Sequence, residues 1–340
     1  MKHLKVLFSL LLVVVLVGAC TDTGGGEETP DQAQDQSDDE SNPEGRTIKI
    51  AFSAPGADHG WLAAITNNAR DEAKNWDDVE LILTEGTNDA AAQASQVETL
   101  VNQDPDVLVI LPHDGEALTP AAQGAMDAGI PVVNLDREFS SPSAYRTWLG
   151  GDNYGIGKAA GDYFAEALNC KGNVVEIQGL AGISVTDLRT KGFADAIKQC
   201  DGGIKIVAQQ PADFLPDKGL EVMEAILQSE DQIDAVYTHD DDMAMGVVAA
   251  IENADRQSEM FLTGAGGSKD AMGLIADGGL YRATFLYNPS MSASAIRLAR
   301  LIALEEGFSE LVEPEVPSYI QLPASTVTNN NVDEFEALGY

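Results

Sequence analysis

Between Thr47 and about Ile320 the chain alternates short aliphatic runs with longer stretches of helical period, and this alternation constrains the fold more than any other feature. The runs include Ile48–Ser53, Val79–Leu83, Val107–Leu111, Pro131–Leu135, Val174–Ile177, Ile204–Val207, Ala235–Thr238 and Phe261–Leu262. Most are aliphatic or β-branched on both faces, as strands covered by helices on each side must be. Between them lie segments such as Asn153–Asn169, where Ile156, Ala160, Tyr163, Phe164, Ala167 and Leu168 share one helical stripe. Repeated strand–helix alternation predicts an α/β fold built on doubly wound parallel sheets. A length of 340 residues suggests about two domains.

The first 46 residues do not share this pattern. Lys2 and Lys5 precede an apolar run, Val6 to Val17, interrupted only by Ser9, and Gly18-Ala19 then leads to Cys20. The run is short for a membrane span and reads as an export signal, residues 1–19. Val17-Gly18-Ala19-Cys20 resembles a bacterial lipobox, which makes Cys20 the expected lipidated first residue, although a plain signal peptide or a short anchor helix would share the apolar run. From Thr21 to Arg46 three consecutive glycines, nine acidic residues and scattered Ser, Gln and Pro replace nearly all apolar side chains. Such a segment cannot bury enough surface to order itself. Residues 20–46 are therefore expected to act as a tether, holding the folded body on the order of 30 Å from a membrane.

Charge narrows the function. With 20 Lys+Arg against 55 Asp+Glu the formal net charge is −35, which argues against nucleic acid as a partner, since phosphate backbones require clustered positive charge. The sequence contains no G-x-S-x-G nucleophile elbow, and its strand-end carboxylates stand beside arginines rather than beside each other, so a hydrolase is disfavoured. A DNA-binding regulator would need a helix-turn-helix where this chain has its export signal and tether.

Ligands of parallel α/β sheets sit beyond the carboxyl ends of the strands, so the residues following each run are the candidates. They comprise Asp58-His59-Gly60-Trp61, Pro112-His113-Asp114, Asp136-Arg137-Glu138, Arg189 downstream of Gln178-Gly179, Asp213-Phe214, His239-Asp240-Asp241-Asp242, Gly264-Ala265-Gly266-Gly267 and Tyr287-Asn288. Carboxylates and guanidinium groups provide charge-assisted hydrogen bonds, while Trp and Phe provide flat faces for the C–H side of a sugar. Together they suit a hydroxyl-rich ligand. Trp61 could also be core packing, with ligand stacking the favoured reading. His59 and His113 are equally readable as donors or as solvated loop residues. The Asp240–Asp242 run beside His239 could suggest a metal, but adjacent residues cannot all face one ion and Asp commonly caps helices. No metal or cofactor is expected. Gly155, Gly157 and Gly161 imitate a dinucleotide loop with the wrong spacing.

Four stretches carry a more specific likeness: Asn134–Glu138 (NLDRE), Glu176–Phe193 (EIQGLAGISVTDLRTKGF), Gln210–Met223 (QPADFLPDKGLEVM) and Asp240–Gly246 (DDDMAMG). In this order they resemble the ribose-type periplasmic sugar-binding proteins, the type I solute-binding family of ABC importers. The resemblance implies two α/β lobes joined by a three-segment hinge, closing on a ligand without performing chemistry. It divides the chain into a first lobe of residues 47–151 plus 289–314 and a second of 152–288 plus 315–340. It implies ligand contacts from Asp136 and Arg137 in the first lobe and from Arg189 and Phe214 in the second. Asp240 stands where the ribose binders have Asn, Trp61 where they have Phe, and Asp58 near a site Asn. The likeness fails at Leu111, Gly266 and Tyr287, where the ribose pattern has Asn, Asp and Gln. The expected ligand set is Asp58, Trp61, His113, Asp136, Arg137, Arg189, Phe214, Asp240 and Tyr287, around a neutral sugar or sugar alcohol other than ribose. The implied partner is an ABC permease, with the protein a lipid-anchored, extracytoplasmic monomer. Presentation of ligand to a chemoreceptor or sensor kinase, or binding of another small polar solute, would use the same site.

Beyond Cys20 the cysteines are Cys170 and Cys200. Each ends a helix just before a strand, and in a parallel sheet consecutive helix-to-strand turns emerge on one edge. A disulfide is expected between them, which export to an oxidising compartment permits.

Overall fold

A computed structural model describes residues Gly45–Tyr340. The expected signal peptide at 1–19, the lipidated Cys20 and nearly all of the tether at 20–46 lie outside these residues.

The aliphatic runs form the strands of two six-stranded sheets. The first contains β1 (Ile48–Ser53), β2 (Val79–Leu83), β3 (Val107–Ile110), β4 (Val132–Leu135) and β5 (Thr147–Gly151), interleaved with α1 (Gly60–Ala73), α2 (Ala90–Val101) and α3 (Gly115–Asp127). After β5 the chain enters the second lobe. There α4 (Asn153–Ala167), β6 (Gly172–Gln178), α5 (Ser184–Ile197), β7 (Ile204–Pro211), α6 (Pro216–Ser229), β8 (Ala235–Thr238), α7 (Asp241–Asn253), β9 (Phe261–Gly266), α8 (Lys269–Asp277) and β10 (Tyr281–Leu286) follow. The chain then returns: α9 (Met291–Ala303) packs on α1, and β11 (Tyr319–Leu322) pairs with β5, before β12 (Thr326–Thr328) joins β10.

Both sheets have one topology. Their orders are β2-β1-β3-β4-β5-β11 and β7-β6-β8-β9-β10-β12, each beginning in the 2-1-3-4-5 pattern of a doubly wound fold. Pairing is parallel throughout except at β12, which runs antiparallel to β10. Strands β3, β4, β5, β8 and β9 are buried along their whole length, as expected for strands covered by helices on both faces.

Two expectations need correction. The last boundary falls later than the resemblance implied: residues 319–322 belong to the first sheet, because Tyr319–Leu322 registers against Trp148–Gly151, and the chain recrosses only after Leu322. Strand β9 also extends through Gly264-Ala265-Gly266, residues first read as a loop after a two-residue run. Glycine hides a strand from hydrophobic pattern, yet the absence of a side chain at Gly264 is required: a Cβ there would lie 2.0 Å from the Tyr281 hydroxyl oxygen.

The three crossings lie side by side. Asp152 N–H donates to the Leu322 carbonyl at 2.9 Å, Leu286 N–H to the Ser325 carbonyl at 2.8 Å, and the Tyr287 ring fills the space beside Gly151. The glycines that imitated a dinucleotide loop instead let two helices touch. A Cβ on Gly157 would lie 2.0 Å from the Arg189 carbonyl oxygen, so α4 and α5 meet backbone to backbone. The expected disulfide is present, with Cys170 and Cys200 Cα atoms 4.9 Å apart at adjacent helix-to-strand turns.

Candidate functional site

The carboxyl ends of both sheets face a common cleft. A cavity there is lined by His59, Trp61, Asp136 and Arg137 from the first lobe and by Val185, Arg189, Phe214, Asp240, Ala265, Gly266 and Tyr287 from the second.

Asp136 follows β4 in a left-handed backbone conformation, φ 65°, which Asp tolerates better than most residues. Its carboxylate is buried, accepts a hydrogen bond from the Tyr287 hydroxyl and lies 3.9 Å from Arg137 Nε. Burial pushes the Asp136 carboxyl upward, and the Arg137 charge and the Tyr287 bond oppose that push. Arg137 is fixed from behind, donating through Nη1 to the His113 carbonyl at 2.6 Å. Its Nε is buried and makes no hydrogen bond among the described residues. A donor and an acceptor thus stand next to each other at the cleft, which suits hydroxyl groups that both donate and accept.

The second lobe supplies the opposing wall. Arg189, on α5, donates through Nε to Asn153 Oδ1 at 2.9 Å and through Nη1 to the His239 carbonyl, and its guanidinium lies 4.7 Å from the Tyr287 ring centre. Asn153 Nδ2 donates to the Tyr287 hydroxyl at 3.2 Å. Behind them, buried Glu176 accepts from Thr190 at 2.8 Å and Gln209 at 2.6 Å and lies 2.9 Å from His239 Nε2. Burial pushes the His239 imidazole down, so the neutral ring donates to the carboxylate. Arg189 is therefore held by a fully buried polar network, which limits its rotamers before any ligand arrives.

Two aromatic faces complete the cavity. Trp61 stacks on Tyr287 with ring centres 5.4 Å apart and donates through Nε1 to the Tyr287 carbonyl at 2.7 Å. Phe214, another left-handed residue at φ 67°, lies 6.1 Å from His59 in a stacked arrangement. Trp61 is at once part of the core and a wall of the cavity.

The acidic run divides its work. Asp240 caps α7 by accepting from Met243 N–H at 3.0 Å, Asp241 accepts from Tyr281 at 2.7 Å and from the Gly267 and Ser268 amides, and Asp242 accepts from Trp61 N–H at 3.0 Å. No common ion could be shared by three carboxylates so directed. Of these, Asp240 faces the cavity. Burial, with Asp242 adding to it and His59 opposing, holds its carboxyl at about 7. The His59 imidazole is raised: burial opposes its charge, but the hydrogen bond it donates to Asp58 and the charges of Asp240, Asp58 and Asp242 outweigh that opposition.

Two expected ligand residues do not reach the cavity. Asp58 is turned to His59 Nδ1 at 2.6 Å and Asn88 Nδ2 at 2.7 Å. His113 contributes its backbone, accepting from Arg137 and donating to Gln93 Oε1 at 2.7 Å. The lining residue Val185 carried no signal in the sequence, being an ordinary apolar side chain, whereas Ala265 lies in the Gly264–Gly267 strand-end stretch already singled out. Tyr340 was equally silent: a Cβ at Gly266 would lie 2.7 Å from its hydroxyl oxygen, so a phenol occupies space beside the position where the ribose pattern has a carboxylate.

The comparisons agree with this geometry. Residues 50–306 match the family model described as periplasmic binding protein domain. The galactofuranose-binding protein of Escherichia coli (strain K12) is 38% identical over 225 residues, 64% of this chain and 70% of its own length. The ribose import binding protein of Bacillus subtilis (strain 168) is 32% identical over 232 residues, 68% of this chain and 74% of its own. An ABC transporter solute binding protein of Bacillus halodurans C-125, solved with bound myo-inositol, superposes with a TM-score of 0.78 at 26% identity, covering 86% of this chain and 98% of that one. With two lobes of matching topology closing on one polar, aromatic-walled cavity, the chain belongs to the periplasmic binding protein domain family, whose members bind solutes and catalyse no reaction.

Proposed function

We propose that the protein binds a neutral monosaccharide or polyol in the interlobe cleft and delivers it to an ABC importer outside the cytoplasm. The carrying observation is that each cation lining the cavity already has a partner: Arg137 stands beside Asp136, Arg189 is bonded to Asn153 and the His239 carbonyl, and His59 is bonded to Asp58, which does not suit an anionic ligand. The names of the relatives support the class, since they bind galactofuranose, ribose and myo-inositol. Trp61 and Phe214 would cover the carbon skeleton, while Asp136, Arg137, Arg189 and Asp240 would meet its hydroxyls. The departures at Leu111, Gly266 and Tyr287 favour a ligand other than ribose. Lipidation of Cys20 would hold the body at the membrane through the acidic tether.

A thermal-shift screen of pentoses, hexoses and alditols, followed by calorimetry, tests the reading. A ligand held by the native state raises the melting temperature by mass action, adding about 2.7 kcal/mol of stability at a hundredfold excess over Kd. Binding of anionic solutes alone, with no response to any neutral sugar or polyol, would overturn it.

A further inference from the structure

Helix α1 of the first lobe begins without a cap of its own. Its N-cap residue, His59, is extended at φ −147° and ψ 169°, and its side chain makes no capping hydrogen bond. The first turn of a helix nevertheless presents amide donors with no intrahelical partner. Here the acceptor comes from the other lobe. Asp242, in the first turn of α7, takes the Trp61 N–H through Oδ2 at 3.0 Å, with Gly60 packed against its carboxylate. Gly60 makes the approach possible, because a Cβ there would lie 2.8 Å from Asp242 Oδ1. One carboxylate thus sits at the positive ends of two helices belonging to different lobes, where negative charge is favoured.

The residue held by this contact is a wall of the cavity. Trp61 is gripped at its backbone by Asp242 and at its indole by the Tyr287 carbonyl, both from the second lobe. We propose that Asp242 is a positioning residue of the binding site, capping α1 across the cleft and so seating Trp61 against the ligand in the closed form. The contact spans the lobes, so it is made on closing and must break on opening. Asp242 then acts chiefly on the rate of ligand release, because association precedes the contact. Its neighbours are consistent with a latch rather than a ligand contact: Asp240 faces the cavity, Asp241 is committed to Tyr281 and Thr284 within its own lobe, and Asp242 alone of the run reaches across.

This inference rests on the cleft being the ligand site, and its test separates the two claims. Amide hydrogen exchange would be followed at Gly60 and Trp61 in the wild type, Asp242→Ala and Asp242→Asn, both ligand-free and with ligand in excess. Dissociation of whichever of D-galactose, D-ribose and myo-inositol the wild type holds would be timed by stopped flow. Asp242→Ala should lose protection at Gly60 and Trp61 while the later turns of α1 keep theirs. It should release ligand at least about tenfold faster, with association changed by less than about threefold. Asp242→Asn retains an acceptor oxygen and should restore most of both. Unchanged protection in Asp242→Ala overturns the proposal, as does lost protection with an unchanged release rate. A fall in global stability that Asp242→Asn fails to relieve, with exchange rising throughout α1, would show a merely structural role and also overturn it. If the wild type holds none of the three, the screen of pentoses, hexoses and alditols supplies the ligand; failure of that whole screen overturns the ligand class, and the exchange comparison still decides whether Asp242 caps α1.

Discussion

The guanidinium of Arg189 lies 4.7 Å from the ring centre of Tyr287, and the hydroxyl of that ring donates to the carboxylate of Asp136 in the opposite lobe. One phenol thus connects the cation of the second lobe to the anion of the first. Its position at a crossing between lobes means that the arrangement depends on how the crossings pack, and a Cβ on Gly151 would already strike the Tyr287 ring at 2.2 Å.

Arg189→Ala removes the cation from this chain of contacts and leaves Asn153 Oδ1 and the His239 carbonyl without their donor. Ligand affinity should fall by at least about 2 kcal/mol, roughly thirtyfold, by calorimetry. Equal affinity in the variant would remove Arg189 from the binding set.

Tyr287→Phe keeps the stack on Trp61 but withdraws the hydroxyl from buried Asp136. Leaving that carboxylate underbonded should lower stability by about 1–3 kcal/mol in denaturant unfolding. A loss below the error of the measurement would show that the bond contributes nothing net.

The Asp240 carboxyl is held near 7 in the folded chain, above its ordinary value, so the native state binds a proton that the unfolded chain releases. Stability from this group is therefore present below the ordinary carboxylate range and is lost as pH rises toward about 7. Asp240→Asn keeps a capping side chain for α7 and removes the buried charge. It should raise the ligand-free melting temperature at pH 8, by at least about 1 kcal/mol or some 2–4 °C, with the gain fading toward pH 4. A pH-independent gain would contradict the assignment.

Replacing Cys170 and Cys200 by Ser opens the link between adjacent turns of the second lobe. Constraint of a segment of this length predicts a loss of roughly 3–4 kcal/mol, measurable by denaturant titration. Two reactive thiols in the non-reduced, denatured protein, after blocking Cys20, would show that the bond does not form.

Cys20→Ala should block processing or release the protein from the membrane fraction, as judged by fractionation and gel mobility. Normal processing with unchanged membrane retention would refute the anchor.

Eight of the twelve strands among the described residues and the cysteine pair were legible in the sequence because each depends on local period and chain order. Val107–Ile110 is aliphatic on both faces because both faces are covered, and Cys170 and Cys200 meet because consecutive turns of a parallel sheet share an edge. Asp136, Arg137, Arg189, Phe214 and Asp240 could be located as strand-end residues, and the cavity gathers all five. Tertiary structure alone decided the rest. Thr147–Gly151 ends in two glycines and Tyr281–Leu286 carries an exposed Arg282, so neither reads as a buried aliphatic run, yet each is an inner strand of its sheet. Residues 319–322 went to the first lobe because β5 offered an unpaired edge there. Asp58 turned away from the ligand cavity because His59 and Asn88 were nearer partners, and Asp242 found Trp61, 181 residues distant, because the lobes close. Periodicity records which face of an element is covered; it carries no information about which side chain from a distant element will cover it, and that is settled by the geometry of the packed chain.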